Sequence, residues 1–171
     1  MQMDYPGSIF PFAEVQSGTF FAHFAGGTLG LAMKIHIAAT PETIAVLSFT
    51  QRLHPTIPAP TVLDTSVFDN REVLALKEVA LRPDIKLEAI MDGSPPLKDQ
   101  FVGAVILIKG SAYIRALYKT TLLDINLPTG AARTAVTHPG SMWINDWEIV
   151  LAGRGAETVL CSRDKPATPP G

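Results

Sequence analysis

The sequence predicts a mainly β domain: an antiparallel barrel or sandwich, jelly-roll arrangements included, of eight to ten strands with one short helix. Three observations carry this expectation. Fourteen prolines and thirteen glycines are spread through the 171 residues and cut the chain into pieces of roughly six to twelve, the spacing of strands and turns rather than of bundle helices. Several of these pieces alternate apolar and polar residues with a period of two. Hydrophobic residues make up 47% of the chain and charged residues only 18%, which is enough to pack one core. A sheet that closes on itself buries such strands and removes their edges. Residues 1–165 read as one domain and 166–171 as a Pro-rich disordered tail.

Each element has its own signal. Residues 19–25 and 31–39 are rich in Phe, Ile and Ala and flank Gly26-Gly27-Thr28-Leu29-Gly30, a hairpin with a glycine-rich turn. Residues 44–50 read as a strand with Ile44, Val46 and Ser48 on one face and Ala45, Leu47 and Phe49 on the other. Prolines 55, 58 and 60 set an extended connection. Residues 69–81 can be read two ways. Asp69 with Glu72 three residues on makes a capping box, and Val73, Leu76 and Ala80 would share a helical face. The same residues also fit a strand that turns near Pro83; the capping box tips the reading towards the helix. Residues 85–91 alternate cleanly, and 101–108 carry no charge, as in a strand buried on both faces. Residues 112–119 and 123–127 alternate again. Residues 128–141 read as the longest loop, and 143–151 with 158–161 as a final hairpin through Gly153-Arg154-Gly155.

The totals exclude several functions. Sixteen acidic and fourteen basic residues give no basic field, and the densest basic stretch, 154–165, is interrupted by Glu157 and Asp164. No nucleic-acid partner is expected. Cys161 is the single cysteine, so no intrachain disulfide and no cysteine-based zinc site can form. It reads as a small buried hydrophobe and fits a reducing compartment. Residues 1–7 lack the basic and apolar regions of a secretory leader, and a cytoplasmic location is expected. Residues 15–33 hold no charge over a length of 19, close to that of a spanning helix. Four glycines and five polar residues within them favour a hairpin instead, so no membrane partner is expected. The low charge and a mean hydropathy of +0.22 point to surface covered by a partner, most simply a homo-oligomer.

Motifs for chemistry are sparse. The chain has no phosphate-cradling G-x-x-x-x-G-K-[ST], no G-x-S-x-G nucleophile elbow and no H-E-x-x-H. No carboxylate pair has a spacing that marks it for acid–base work. His23 and His36 lie on the two arms of the first hairpin. A turn centred on Leu29-Gly30 would set them directly opposite and able to share a divalent metal, with Glu14 or His138 as a third ligand. A turn centred on Gly26-Gly27 sets His23 against Gly30 instead, and the pair dissolves. Trp143 and Trp147, four apart, would share a face with Asn145 and could stack on a flat small-molecule ligand. Two functions follow. The first is a non-catalytic binding or assembly module that self-associates. The alternative is a small β-barrel enzyme with an internal His/carboxylate site, metal-dependent if His23 and His36 meet.

Overall fold

The computed structural model describes residues 7–25, 27–39, 41–50, 59–83, 89–152 and 157–163. The connection before residue 59, the strand start at 85, the Gly153-Arg154-Gly155 turn and the 166–171 tail lie outside these. Fifteen strands occur among the described residues. They are β1 (Gly7–Pro11), β2 (Phe20–Ala25), β3 (Thr28–Ile37), β4 (Thr43–Ser48), β5 (Thr61–Asp64), β6 (Glu72–Leu76), β7 (Val79–Pro83) and β8 (Ile90–Asp92), followed by β9 (Val105–Ile108), β10 (Ser111–Tyr118), β11 (Thr121–Asn126), β12 (Ala131–Thr134), β13 (Met142–Ile144), β14 (Trp147–Ala152) and β15 (Glu157–Ser162).

Six of them close a barrel in the order β3-β4-β5-β10-β11-β12. It consists of two antiparallel meanders, β3-β4-β5 and β10-β11-β12. Two parallel seams join them: Thr61 lies beside Leu117 at one, and His36 and Ile37 lie beside Ala131 and Ala132 at the other. Alternation along each strand sends every second side chain inward. Met33, Ile35, Leu47, Val62, Ile114 and Ile125 thereby pack into one buried cluster.

Glycine makes the second seam possible. At Gly130 the backbone has φ 69°, and a Cβ would fall 2.4 Å from the Gly18 nitrogen and 2.8 Å from the Lys34 carbonyl oxygen. The chain at residue 18 crosses this seam and donates its own N–H to that same carbonyl at 2.7 Å. No side chain fits between the two backbones.

The remaining strands cover the outside. On one side, β2, β6 and β1 extend the sheet from β3, and Phe12, Phe21, Phe68 and Val73 form a second cluster against the barrel wall. On the other, β9, β13 and β8 extend from β10, with Ala104, Ile106 and Trp143 as a third cluster. A separate sheet, β15-β14-β7, adds Trp147 and Ile149 to the barrel cluster.

Three local expectations change. Residues 69–81 are a hairpin, not a helix. Positive φ at Asn70 and Glu78 (58° each) breaks any helical run, and β6 is held between β1 and β2, so pairing overrides the local cap signal. The loop expected over 128–141 contains β12, the strand that completes the barrel. The strand expected over 143–151 breaks at Asn145-Asp146 into β13 and β14, which belong to different sheets. No helix among the described residues is long and apolar enough to cross a membrane.

Candidate functional site

The most connected polar group lies on the outer wall of the barrel. Inward-facing Ile114, Ala116, Leu123 and Ile125 leave Arg115 and Asp124 pointing outward, opposite one another across β10 and β11. Both are nonetheless fully buried, because the segments around residues 95 and 136 fold over them. The Arg115 Nε donates to Asp124 Oδ1 at 2.9 Å, and Nη2 donates to Oδ2 at 3.2 Å. The remaining N–H groups reach the carbonyls of Pro95, Pro96 and Val136 at 2.6, 3.2 and 3.3 Å. Five donors thus meet five acceptors, which is the full capacity of a guanidinium.

His138 extends this group towards the surface. Its Nε2 lies 3.4 Å from Asp124 Oδ2, and its ring stacks beside Tyr113 with centroids 6.4 Å apart. Ser94 and Ser141 complete the cluster. The Ser94 hydroxyl accepts from the His138 backbone N–H at 2.5 Å and lies 3.1 Å from the Ser141 hydroxyl. Serine, histidine and aspartate thus come together, but Ser94 bonds the main chain of His138 and not its ring. The geometry pins a loop; it does not activate a nucleophile.

Beyond Tyr113 the wall opens into a cleft of about 290 Å³. Tyr113 pairs with Asn126 across β10 and β11, and Ala131 pairs with His36 across β12 and β3. Because Ala131 ends at a methyl group, the wall is hollow between the larger neighbours. Ala38 and Thr129 also line the hollow. The Arg133 guanidinium lies over the Tyr113 ring, 5.1 Å from its centroid.

Apart from His138, the residues singled out in the sequence lie elsewhere. The first hairpin closes with Ala25 paired to Thr28, so His23 faces Gly30 and His36 faces Ile44. Six residues of strand separate their positions on β3, about 20 Å, and the proposed metal pair dissolves. Among the described residues no group of three or more His, Cys, Asp or Glu could hold a metal. His23 is buried beside Phe68 and Phe21, and neither ring nitrogen has a hydrogen-bond partner. Burial holds its pKa below the usual 6.5, and the Arg71 charge adds to this.

Trp143 and Trp147 do not form a shared stacking face. Trp143 packs edge-on to Phe101 in the third cluster. Trp147 packs edge-on to Phe49 in the barrel cluster and donates its indole N–H to the Gly103 carbonyl at 2.7 Å. Cys161 packs against the barrel cluster, and burial pushes its thiol up to about 11, the state of an inert thiol.

Two basic groups have structural tasks. Lys34 donates to the Phe12 and Ala13 carbonyls at 3.0 and 3.1 Å, and burial lowers its pKa. Arg163 donates to the Asn145 side chain and to the Val102 carbonyl, tying the last strand to the segment before β9. Burial lowers its pKa too, with Asp146 opposing the shift.

An apolar face lies at the far end of the first hairpin. Ile9, Leu74, Ala22 and Leu31 form one row across β1, β6, β2 and β3, and Phe24 with Leu29 forms the next on the same face. Ile9, Phe24 and Leu29 are 67%, 69% and 59% exposed.

Comparison with protein-family models, with curated proteins and with solved structures finds no significant match for this chain.

Proposed function

We propose that this chain is a non-catalytic binding module that self-associates through the sheet face bearing Ile9, Phe24 and Leu29. The observation that carries the reading is the co-planar exposure of those three side chains. A second copy is the occupant that fits best. Among the described residues β1 ends the sheet order, and Gly7–Pro11 carries no charged residue of the kind that guards free edges. A twofold-related copy would lay the same face against this one, with Ile9, Phe24 and Leu29 of each copy covered by those of the other.

Burying a side chain of this size contributes about 1.5–3 kcal/mol. Covering the exposed parts of three on each copy therefore gives roughly 6–12 kcal/mol, of the same order as the cost of association. The surplus over that cost is small, so a weak, concentration-dependent dimer is expected.

Sedimentation velocity and native mass spectrometry of the wild type and of a Phe24→Glu/Leu29→Glu variant test this. The expected result is a wild-type dimer whose dissociation constant rises at least tenfold in the variant, with an unchanged circular dichroism spectrum. A wild type that stays monomeric at several hundred micromolar, or a folded variant that dimerises as well as the wild type, overturns it.

A further inference from the structure

We propose that the cleft beside Tyr113 and Arg133 is a binding site for a small carboxylate on an apolar body. The cleft offers hydrogen-bond donors above a floor of methyl groups. Asn126 Oδ1 is already engaged, accepting from the Thr129 N–H at 3.1 Å and from the Thr129 hydroxyl at 2.8 Å. The Asn126 side chain is thereby fixed with its NH₂ group left over, and this group has no hydrogen-bond partner among the described residues.

Arg133 provides the charge. Its strand neighbour Asp124 is fully taken up by Arg115, Val136 and His138. Among the described residues Arg133 makes no ion pair, and the Tyr113 ring beneath it holds the guanidinium at the rim of the hollow. Two donors, one of them cationic, suit a carboxylate, which can accept from both in one plane. The methyl groups of Ala38 and Ala131 suit a hydrocarbon body, and a volume of about 290 Å³ lies at the small end of ligand clefts. His138 and the Arg133 guanidinium both pack against the Tyr113 ring.

The probes are benzoate, its neutral counterpart benzamide, and inorganic phosphate, titrated into ¹⁵N-labelled protein and followed by amide shifts. Benzoate is expected to shift resonances of residues 126–133 and 38 in a saturable way. Arg133→Gln should weaken it at least tenfold, while benzamide and phosphate produce no saturable shift there. Arg133 is exposed and forms no part of the core, so the variant is expected to keep the wild-type spectrum outside the cleft. Three results would each overturn the assignment: no saturable shift with benzoate, equal binding of benzamide, or benzoate binding unchanged in Arg133→Gln. Saturable phosphate binding equal to that of benzoate would replace the carboxylate with a general anion site, and so overturns it too.

Discussion

Replacing Asp124 with alanine is expected to cost about 3–5 kcal/mol, the range for removing one partner of a buried ion pair. The Arg115 guanidinium is fully buried, and three of its five acceptors are carbonyls that carry no formal charge. Among the described residues the lost carboxylate supplied the only opposite charge it contacts. Two further donors, the Val136 N–H and the His138 ring, lose an acceptor at the same time. In a domain of this size each kcal/mol lowers the melting temperature by about 2–4 °C, so the fall should be roughly 6–20 °C. Urea unfolding followed by tryptophan fluorescence measures the loss, provided the slope with denaturant is unchanged. The double variant Arg115→Met/Asp124→Leu separates charge from packing. It removes both charges, and the loop carbonyls, the Val136 N–H and the His138 ring are left to find water. It should therefore be more stable than Asp124→Ala alone. A loss below about 1 kcal/mol for Asp124→Ala, or a double variant less stable than the single one, refutes the reasoning.

Other expectations concern the opposite wall and the seam. His23 has its folded pKa depressed by burial, so the unfolded chain takes up the proton first as pH falls. Its contribution to stability is complete above pH 6.5 and is lost below it. The urea midpoint should drop between pH 7.5 and 5.5, and His23→Leu should flatten that drop while raising the midpoint at pH 7.5, because two unpartnered buried nitrogens disappear. An identical pH dependence in the variant would count against this. Gly130→Ala should cost 3 kcal/mol or more, on the order of a core disruption, since its Cβ meets backbone at 2.4 Å and the residue has φ 69°. A variant melting within about 2 °C of the wild type would show that the seam can shift.

The fold class was legible because period-two alternation and punctuation by glycine and proline are local properties. Ala45, Leu47 and Phe49 do face the barrel core, as their spacing predicts. The sequence alone left two registers open for the first hairpin, and the pairing of His23 with Gly30 decides between them. Other features were hidden for a physical reason: they depend on partners far along the chain. β12 carries only four residues, two of them alanines, and becomes a strand because β3 and β11 flank it. Residues 69–81 carry a capping signal that the pairing of β6 overrides. Arg115 and Asp124 have the pattern of outward charges on half-exposed strands, and their burial depends on segments some twenty and twelve residues away. The cleft beside Arg133 was equally invisible, since it exists only where four strands bring Tyr113, Asn126, Ala131 and His36 into one row.

The two parallel seams have a consequence for how the protein is made. Each meander forms from neighbouring strands, but the seams join His36 to Ala131 and Thr61 to Leu117, contacts that must wait for the second half of the chain. During synthesis at about 5–20 residues per second, the first meander leaves the ribosome seconds before β10–β12 exist. For that interval its two outer strands, β3 and β5, lack their barrel neighbours, and the apolar surface meant for the interior faces water. Nascent chains are therefore most prone to mispair with one another at this stage. Slower initiation or lower temperature during expression should raise the soluble yield more than changes made to the finished protein.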